Sequence, residues 1–194
     1  MEKILYLMRH GQTLFNLKGR IQGSSDSPLT DLGVQQAQAA GHYFTQHQIK
    51  FDSAVSSTQE RASDTLEHAI PGQPYTRLKG LKEWSFGLFE GESIQLLRKI
   101  KQSGVLYGDY VVPFGGEARQ EVQTRMIETL TQVMEHDSQG CTLAVSHGST
   151  IGVFLDYWVE REQFFEAGNC HILKFSYKDG AFKFIEVINP INDN

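Results

Sequence analysis

Apolar residues fall in short runs along this chain, and two of those runs end in a histidine followed by glycine. Ile4, Leu5, Tyr6, Leu7 and Met8 form an unbroken run that predicts a buried strand, stopping at Arg9-His10-Gly11. Residues 12–29 are rich in Gly, Ser, Asn and Asp and predict a long loop. Thr30, two residues after Pro28, is placed to cap a helix to about His47, with Leu32, Ala37, Ala40 and Phe44 on one face. Phe51–Ser57 predicts a second strand. A helix from about Thr58 to Ile70 follows, closed by Pro71-Gly72, and Tyr75–Trp84 predicts a third strand. Residues 86–116 are irregular apart from a short helix, Ser93–Ser103. Between Glu117 and His136 the residues Val122, Met126, Ile127, Leu130, Val133 and Met134 recur at helical intervals. Thr142–Ser146 predicts a strand ending at Ser146-His147-Gly148, then a helix to about Trp158. His171–Tyr177 and Phe182–Ile188 flank Lys178-Asp179-Gly180 as a hairpin.

Alternation of strands and helices, without repeat or linker, predicts one α/β domain over residues 1–194, with a mostly parallel sheet and an antiparallel edge. In such sheets ligands bind beyond the carboxyl ends of the strands. The strands at 3–8 and 142–146 both deliver a His-Gly pair there, and the strand at 51–57 leads into a helix whose first turn holds Arg61.

Composition narrows the partners. The net charge is −5, from 18 Lys and Arg against 23 Asp and Glu, with no basic run, so a nucleic-acid partner is not expected. Affinity for anions must then come from a local cluster, since field focusing in a cleft depends on the nearest charges. No apolar run approaches the ~20 residues of a membrane helix, so no membrane partner is expected. The first residues lack the features of a secretory signal, and a cytoplasmic location is expected. Cys141 and Cys170, the only cysteines, make neither a disulfide framework nor a metal motif and read as ordinary thiols.

The chemistry suggested is phosphoryl transfer. A phosphate ester repels nucleophiles, so its catalyst needs fixed positive donors, an in-line nucleophile and an acid for the leaving oxygen. Arg9 and Arg61 offer guanidinium forks matched to phosphate, and a protonated His147 would add a third cationic donor. His10 suits the nucleophile, attacking through one nitrogen while the other holds a hydrogen bond to a backbone carbonyl. Gly11 and Gly148 let backbone approach a phosphate closely. Glu83, beside Trp84 and Phe86, is the candidate acid, with a pKa raised by apolar surroundings. Any one of these is ordinary; their joint placement at strand ends and helix starts is the signal.

As a set the motifs resemble the histidine phosphatase superfamily, also called phosphoglycerate mutase-like. The resemblance runs through Arg9-His10-Gly11-Gln12-Thr13 with Asn16, Gly19-Arg20-Ile21-Gln22-Gly23, and Asp26-Ser27-Pro28-Leu29-Thr30. It continues through Ser56-Ser57, Arg61-Ala62, Thr65, Glu83, Phe86-Gly87, Glu90-Gly91, Gly115-Gly116-Glu117 and Val145-Ser146-His147-Gly148. It implies a three-layer α/β/α sandwich, a phosphorylated His10, phosphate held by Arg9, Arg61 and His147, and Glu83 as acid and base. It further implies that Asn16, Gln22 and Gly23 line the substrate side, and that neither metal nor other cofactor takes part. Thr58 and Ala118 depart from its usual proline and serine.

The expected function is hydrolysis of a small phosphorylated metabolite through a phosphohistidine. The alternatives are a cofactor-dependent phosphoglycerate mutase and a non-catalytic phosphate- or phosphopeptide-binding module. Phe86-Gly87-Leu88-Phe89-Glu90-Gly91 resembles the phosphatase branch, and a pure binder would need neither His10 nor Glu83. Residues 86–116 are expected to cap the pocket, with Trp84, Phe86, Phe89, Tyr107, Tyr110 and Phe114 as an apolar wall or as core. Arg98, Lys99 and Lys101 read as a solvated helix face. The oligomeric state, a homo-oligomer included, stays open.

Overall fold

The computed structural model describes residues 2–100, 108–136, 140–160 and 167–192. Among them six strands form one sheet: β1 (Lys3–Arg9), β2 (Ser53–Ser57), β3 (Thr76–Leu78), β4 (Cys141–Ser146), β5 (Ile172–Lys178) and β6 (Ala181–Ile188). The α-helices are α1 (Leu14–Leu17), α2 (Asp31–Gln46), α3 (Glu60–Ala69), α4 (Ile94–Ile100), α5 (Arg119–His136) and α6 (Gly148–Trp158). The strand order is β3-β2-β4-β1-β5-β6. The first four are mutually parallel, and β5 and β6 extend the sheet in antiparallel pairing.

The period of two along β1 divides the core between the sheet's faces. Leu5 and Leu7 pack with Met126, Leu130 and Met134 of α5 and Ile151 and Phe154 of α6. Tyr6 and Met8 pack with Ala40 and Phe44 of α2 and Ala62 and Leu66 of α3. Helices thus cover both faces of a mostly parallel sheet, as expected. A third cluster joins Phe86, Leu97, Tyr110 and Val111 to Ile21, Trp84, Val122 and Val153.

Register fixes the site. Leu7 pairs with Ala144 and Arg9 with Ser146, so His10 and His147 each follow the last paired residue of adjacent parallel strands. β2 pairs with β4 up to Ser56 and Val145, which brings the start of α3 to the same edge.

Two expectations change. The strand expected over Tyr75–Trp84 is three residues long and gives way to a 3-10 turn at Lys79–Leu81. It pairs with Val55–Ser57 alone, at the end of β2, and Leu81 turns into the core toward α5. Arg125 of α5 then donates to the carbonyls of Gly80 at 2.9 Å and Lys82 at 2.7 Å, holding the chain off the sheet. In α2, Leu32 is 47% exposed, while Gly33, Ala37, Ala40 and Phe44 form the buried face. Gly33 lies one residue, about 100° of helix, from Leu32. A side chain at Gly33 would collide with the Gln12 carbonyl, so only glycine allows this close approach. The expected end of α4 at Ser103 lies outside the described residues, as do Lys101 and Tyr107.

Candidate active site

His10 leaves β1 almost fully buried. Its backbone N–H donates to the Ser146 carbonyl at 3.0 Å, anchoring it to β4. Its Nδ1 lies 2.8 Å from the Gly11 carbonyl, which can only accept, so Nδ1 carries the proton and Nε2 the lone pair. Nε2 lies 3.3 Å from Arg61 Nε. The Gly11 N–H donates to Thr65 Oγ1 at 2.9 Å, and Thr65 donates to the Arg61 carbonyl at 2.7 Å, so α3 is tied to the His10 turn.

Arg61, in the first turn of α3, is wholly buried. Its Nη1 donates to the Ser25 carbonyl at 3.0 Å and Asp26 Oδ1 at 2.9 Å, and its Nη2 to the carbonyls of Gly23 at 3.0 Å and Gln22 at 3.4 Å. Burial lowers its pKa, opposed chiefly by Asp26. Arg9 is half-buried and donates to the Ala167 carbonyl at 2.5 Å.

Glu83 arrives beyond the 3-10 turn. Its Oε1 accepts from the N–H groups of Trp84 at 2.9 Å and Thr150 at 3.0 Å and from Thr150 Oγ1 at 2.7 Å. Its Oε2 accepts from the Ser149 N–H at 3.1 Å. The N-cap residue of α6, His147, gives no side-chain cap, so Glu83 supplies from another segment the negative charge that a helix start favours. The carboxyl group thus sits among hydrogen-bond donors, not against the aromatic faces expected of its neighbours.

His147 stands 5.2 Å from His10, ring centre to ring centre, with the planes inclined at 59°. It is fully buried, and neither ring nitrogen has a hydrogen-bond partner among the described residues. Buried polar groups are nearly always bonded, and an unsatisfied one costs ~1–3 kcal/mol. Burial, then Arg61, His10, Arg9 and Arg125, holds its pKa well below the ordinary histidine value. Burial, then Arg61 and Arg9, does the same to His10. Burial among arginines favours the neutral His147 ring, so a third cationic donor there depends on proton uptake, and the positive charge already in the site is that of the guanidinium groups.

The two neutral imidazoles couple folding to pH. The unfolded chain takes up protons on both as pH falls through about 6.5, while the folded chain does not. Their stability is therefore fully present above that value and lost below it, by up to ~2 kcal/mol per histidine between pH 7 and pH 5. In urea unfolding, His147→Asn should lose less stability than the parent over that range, the difference being at most ~2 kcal/mol. Equal losses would show that His147 protonates in the folded state.

The other expected residues play parts of their own. Asn16 Oδ1 accepts from the Thr13 N–H at 3.2 Å, closing the cap of α1, and from Asn169 Nδ2 at 3.3 Å. Gln22 Oε1 accepts from Thr13 Oγ1 at 2.5 Å, and its Nε2 donates to Ser27 Oγ at 3.1 Å. Gly11 is required by packing, because a Cβ there would run into the Gly33 carbonyl of α2. A Cβ at Gly23 would strike the Trp84 carbonyl. Gly148 opens α6 and is buried. Trp84, Phe86 and Tyr110 are core, and Phe89 packs half-buried against them and meets the exposed Phe114 edge to face. Lys99 is exposed, and Lys101 and the side chain of Arg98 lie outside the described residues. Burial pushes the Cys170 thiol up to about 12, which suits an inert thiol.

Sequence reasoning missed Gln59, Asp26, Thr150 and Arg125. Gln59 accepts from the Glu83 N–H at 2.8 Å and donates to the Gly23 carbonyl at 2.5 Å, joining both sides of the site. Arg125 reaches the Glu83 carbonyl at 3.2 Å and pairs with Glu117 at 2.9 Å. Asp26 stood inside a quoted motif, but nothing local pairs it with an arginine 35 residues on.

Among the described residues no group of three or more His, Cys, Asp or Glu could hold a metal ion, and no helix is long and apolar enough to cross a membrane. The profile of the histidine phosphatase superfamily (branch 1) matches residues 5–190. A Salmonella choleraesuis (strain SC-B67) protein named "Probable phosphoglycerate mutase GpmB" is 32% identical over 191 residues, 92% of this chain and 86% of that protein. A phosphoglycerate mutase from Bacillus anthracis str. Sterne superposes with TM-score 0.83 at 26% identity, covering 97% of this chain and 93% of that one. A phosphoserine phosphatase from Entamoeba histolytica, solved with 3-phosphoglyceric acid, superposes with TM-score 0.79 at 27% identity, covering 95% of each chain.

Proposed function

Because the chain belongs to branch 1 of the histidine phosphatase superfamily, we propose that it hydrolyses a small phosphomonoester through a phosphohistidine at His10, without a metal. The observation behind this reading is the buried, unbonded His147 facing a His10 whose proton is held away on Nδ1, beside a buried guanidinium group. Such a pocket is built to receive an oxyanion.

In the first step His10 Nε2 bonds to phosphorus as the bond to the alcohol oxygen breaks, and Glu83 gives that oxygen its proton. Arg9, Arg61 and His147 hold the non-bridging oxygens. His147 takes up a proton as the dianion offsets the burial and the neighbouring arginines that otherwise favour its neutral form. In the second step water attacks phosphorus, Glu83 accepts its proton, and the electrons of the N–P bond return to Nε2. The described parts of residues 86–116 cap the substrate side. A cavity of about 250 Å³ lined by Ser24, Lys79, Lys82, Glu83, Ser85, Glu117 and Arg125 adjoins Glu83, with neither histidine in its lining.

The names of the Salmonella and Bacillus anthracis relatives favour a second reading, in which the phosphoryl group returns to a sugar acid. Both are tested by incubating the protein with labelled phosphomonoesters, including 3-phosphoglycerate with 2,3-bisphosphoglycerate, and quenching in alkali. Label on His10 with release of inorganic phosphate is expected. Label on His10 with isomerised phosphoglycerate as main product would favour the mutase. Binding without label would leave a binding module, and label on serine or cysteine would defeat both enzymatic readings.

A further inference from the structure

Glu90 has no part in the chemistry above, yet its carboxylate accepts five hydrogen bonds. Oε2 takes the N–H groups of Gly23 at 3.1 Å and Ser25 at 3.0 Å and the Ser25 hydroxyl at 2.7 Å. Oε1 takes the N–H groups of Ser24 at 2.7 Å and Phe86 at 2.9 Å. Burial acts to raise its pKa, but the donors from Ser25, Phe86 and Ser24 prevail and hold it below the ordinary value. Glu90 is therefore an anion near neutral pH.

The other side of the same loop faces Arg61. The carbonyls of Gln22, Gly23 and Ser25 all accept from its guanidinium group. The loop lies between an anion and a cation, its N–H groups toward one and its C=O groups toward the other. Each charge polarises the peptide groups in the sense that strengthens their bonds to the other. A Cβ at Gly23 would collide with Glu90 Oε1, so the loop is pressed tightly onto the carboxylate.

We infer that Glu90 is a positioning residue for Arg61. By fixing the loop over residues 22–25 it fixes the carbonyls that set the guanidinium plane. That plane holds Nε 3.3 Å from His10 Nε2, the atom that would meet the phosphoryl group. The inference rests on the phosphohistidine reading for its catalytic consequence, but its effect on anion binding does not need turnover.

The test uses Glu90→Gln, close in size but uncharged, which replaces one acceptor oxygen with an NH₂ facing the same donors. The dissociation constant for inorganic phosphate, measured by calorimetry, should rise about 20-fold, and kcat/KM should fall by a similar factor. In an Arg61→Ala background the same substitution should change phosphate affinity less than about 3-fold, because contacts acting through one residue are not additive. Equal effects in both backgrounds, or unchanged phosphate affinity with Arg61 intact, would overturn the inference. Ser25→Ala, which removes one donor and keeps the charge, should weaken phosphate binding about 2- to 3-fold. If Glu90→Gln does not fold, wild-type phosphate affinity in Ser25→Ala overturns it instead. Absence of label on His10 in the parent protein would count against the phosphohistidine reading alone.

Discussion

Replacing His10 with alanine removes turnover, with kcat falling by at least ~10⁴-fold toward the uncatalysed rate. No other described group is placed to take the phosphoryl group. Glu83 has both oxygens committed to four donors, and the Ser146 hydroxyl donates to the Leu81 carbonyl at 2.8 Å. His147 is near, but nothing among the described residues fixes its tautomer as Gly11 fixes that of His10. The fold should persist, because β1 is held by its pairing with β4 and β5 and not by the imidazole. Steady-state kinetics on a phosphomonoester, with circular dichroism as the control for folding, measures this. A variant keeping a tenth of the parent's kcat would reject His10 as nucleophile.

The sheet explains why that residue could be found without coordinates. A run of five apolar residues predicts a strand buried on both faces, and such strands end at the edge where loops converge. His10 and His147 were legible because both stand one residue past a strand end, and the Arg9–Ser146 register places those ends side by side. Arg61 was legible for the same reason, at the first turn after β2. The chain was opaque where a contact joins distant segments through side chains. Nothing near Arg125 shows that it will grip Gly80, Lys82 and Glu83, since an arginine on a helix is ordinarily a solvated residue. The length of β3 was misread because its apolar pattern continues into Leu81 and Trp84, which belong to the core and not to the sheet. Glu83 was recognised, but its surroundings were not. The expectation looked to neighbours in sequence, whereas most of its donors come from the start of α6, 66 and 67 residues on.

The proposed service of Glu83 to the leaving oxygen, together with its closing of α6, decides what Glu83→Gln should do. As a structural change it sets an NH₂ group against a shell of donors and withdraws a negative charge from a helix start, costing ~1–3 kcal/mol of stability. As a chemical change it removes the proton donor, and kcat on an alkyl phosphate should fall about 10³-fold. The two effects separate on p-nitrophenyl phosphate, whose leaving oxygen departs readily as an anion and needs little protonation. Phosphorylation of His10 should then continue, while hydrolysis, which needs Glu83 as base, slows. The variant should release a burst of nitrophenolate near one equivalent per site, then turn over slowly with phosphohistidine accumulated. A loss of equal size on both substrates, with no burst and a lowered unfolding midpoint, would mean that Glu83 serves only as the cap of α6. The acid and base would then have to be sought elsewhere in the pocket.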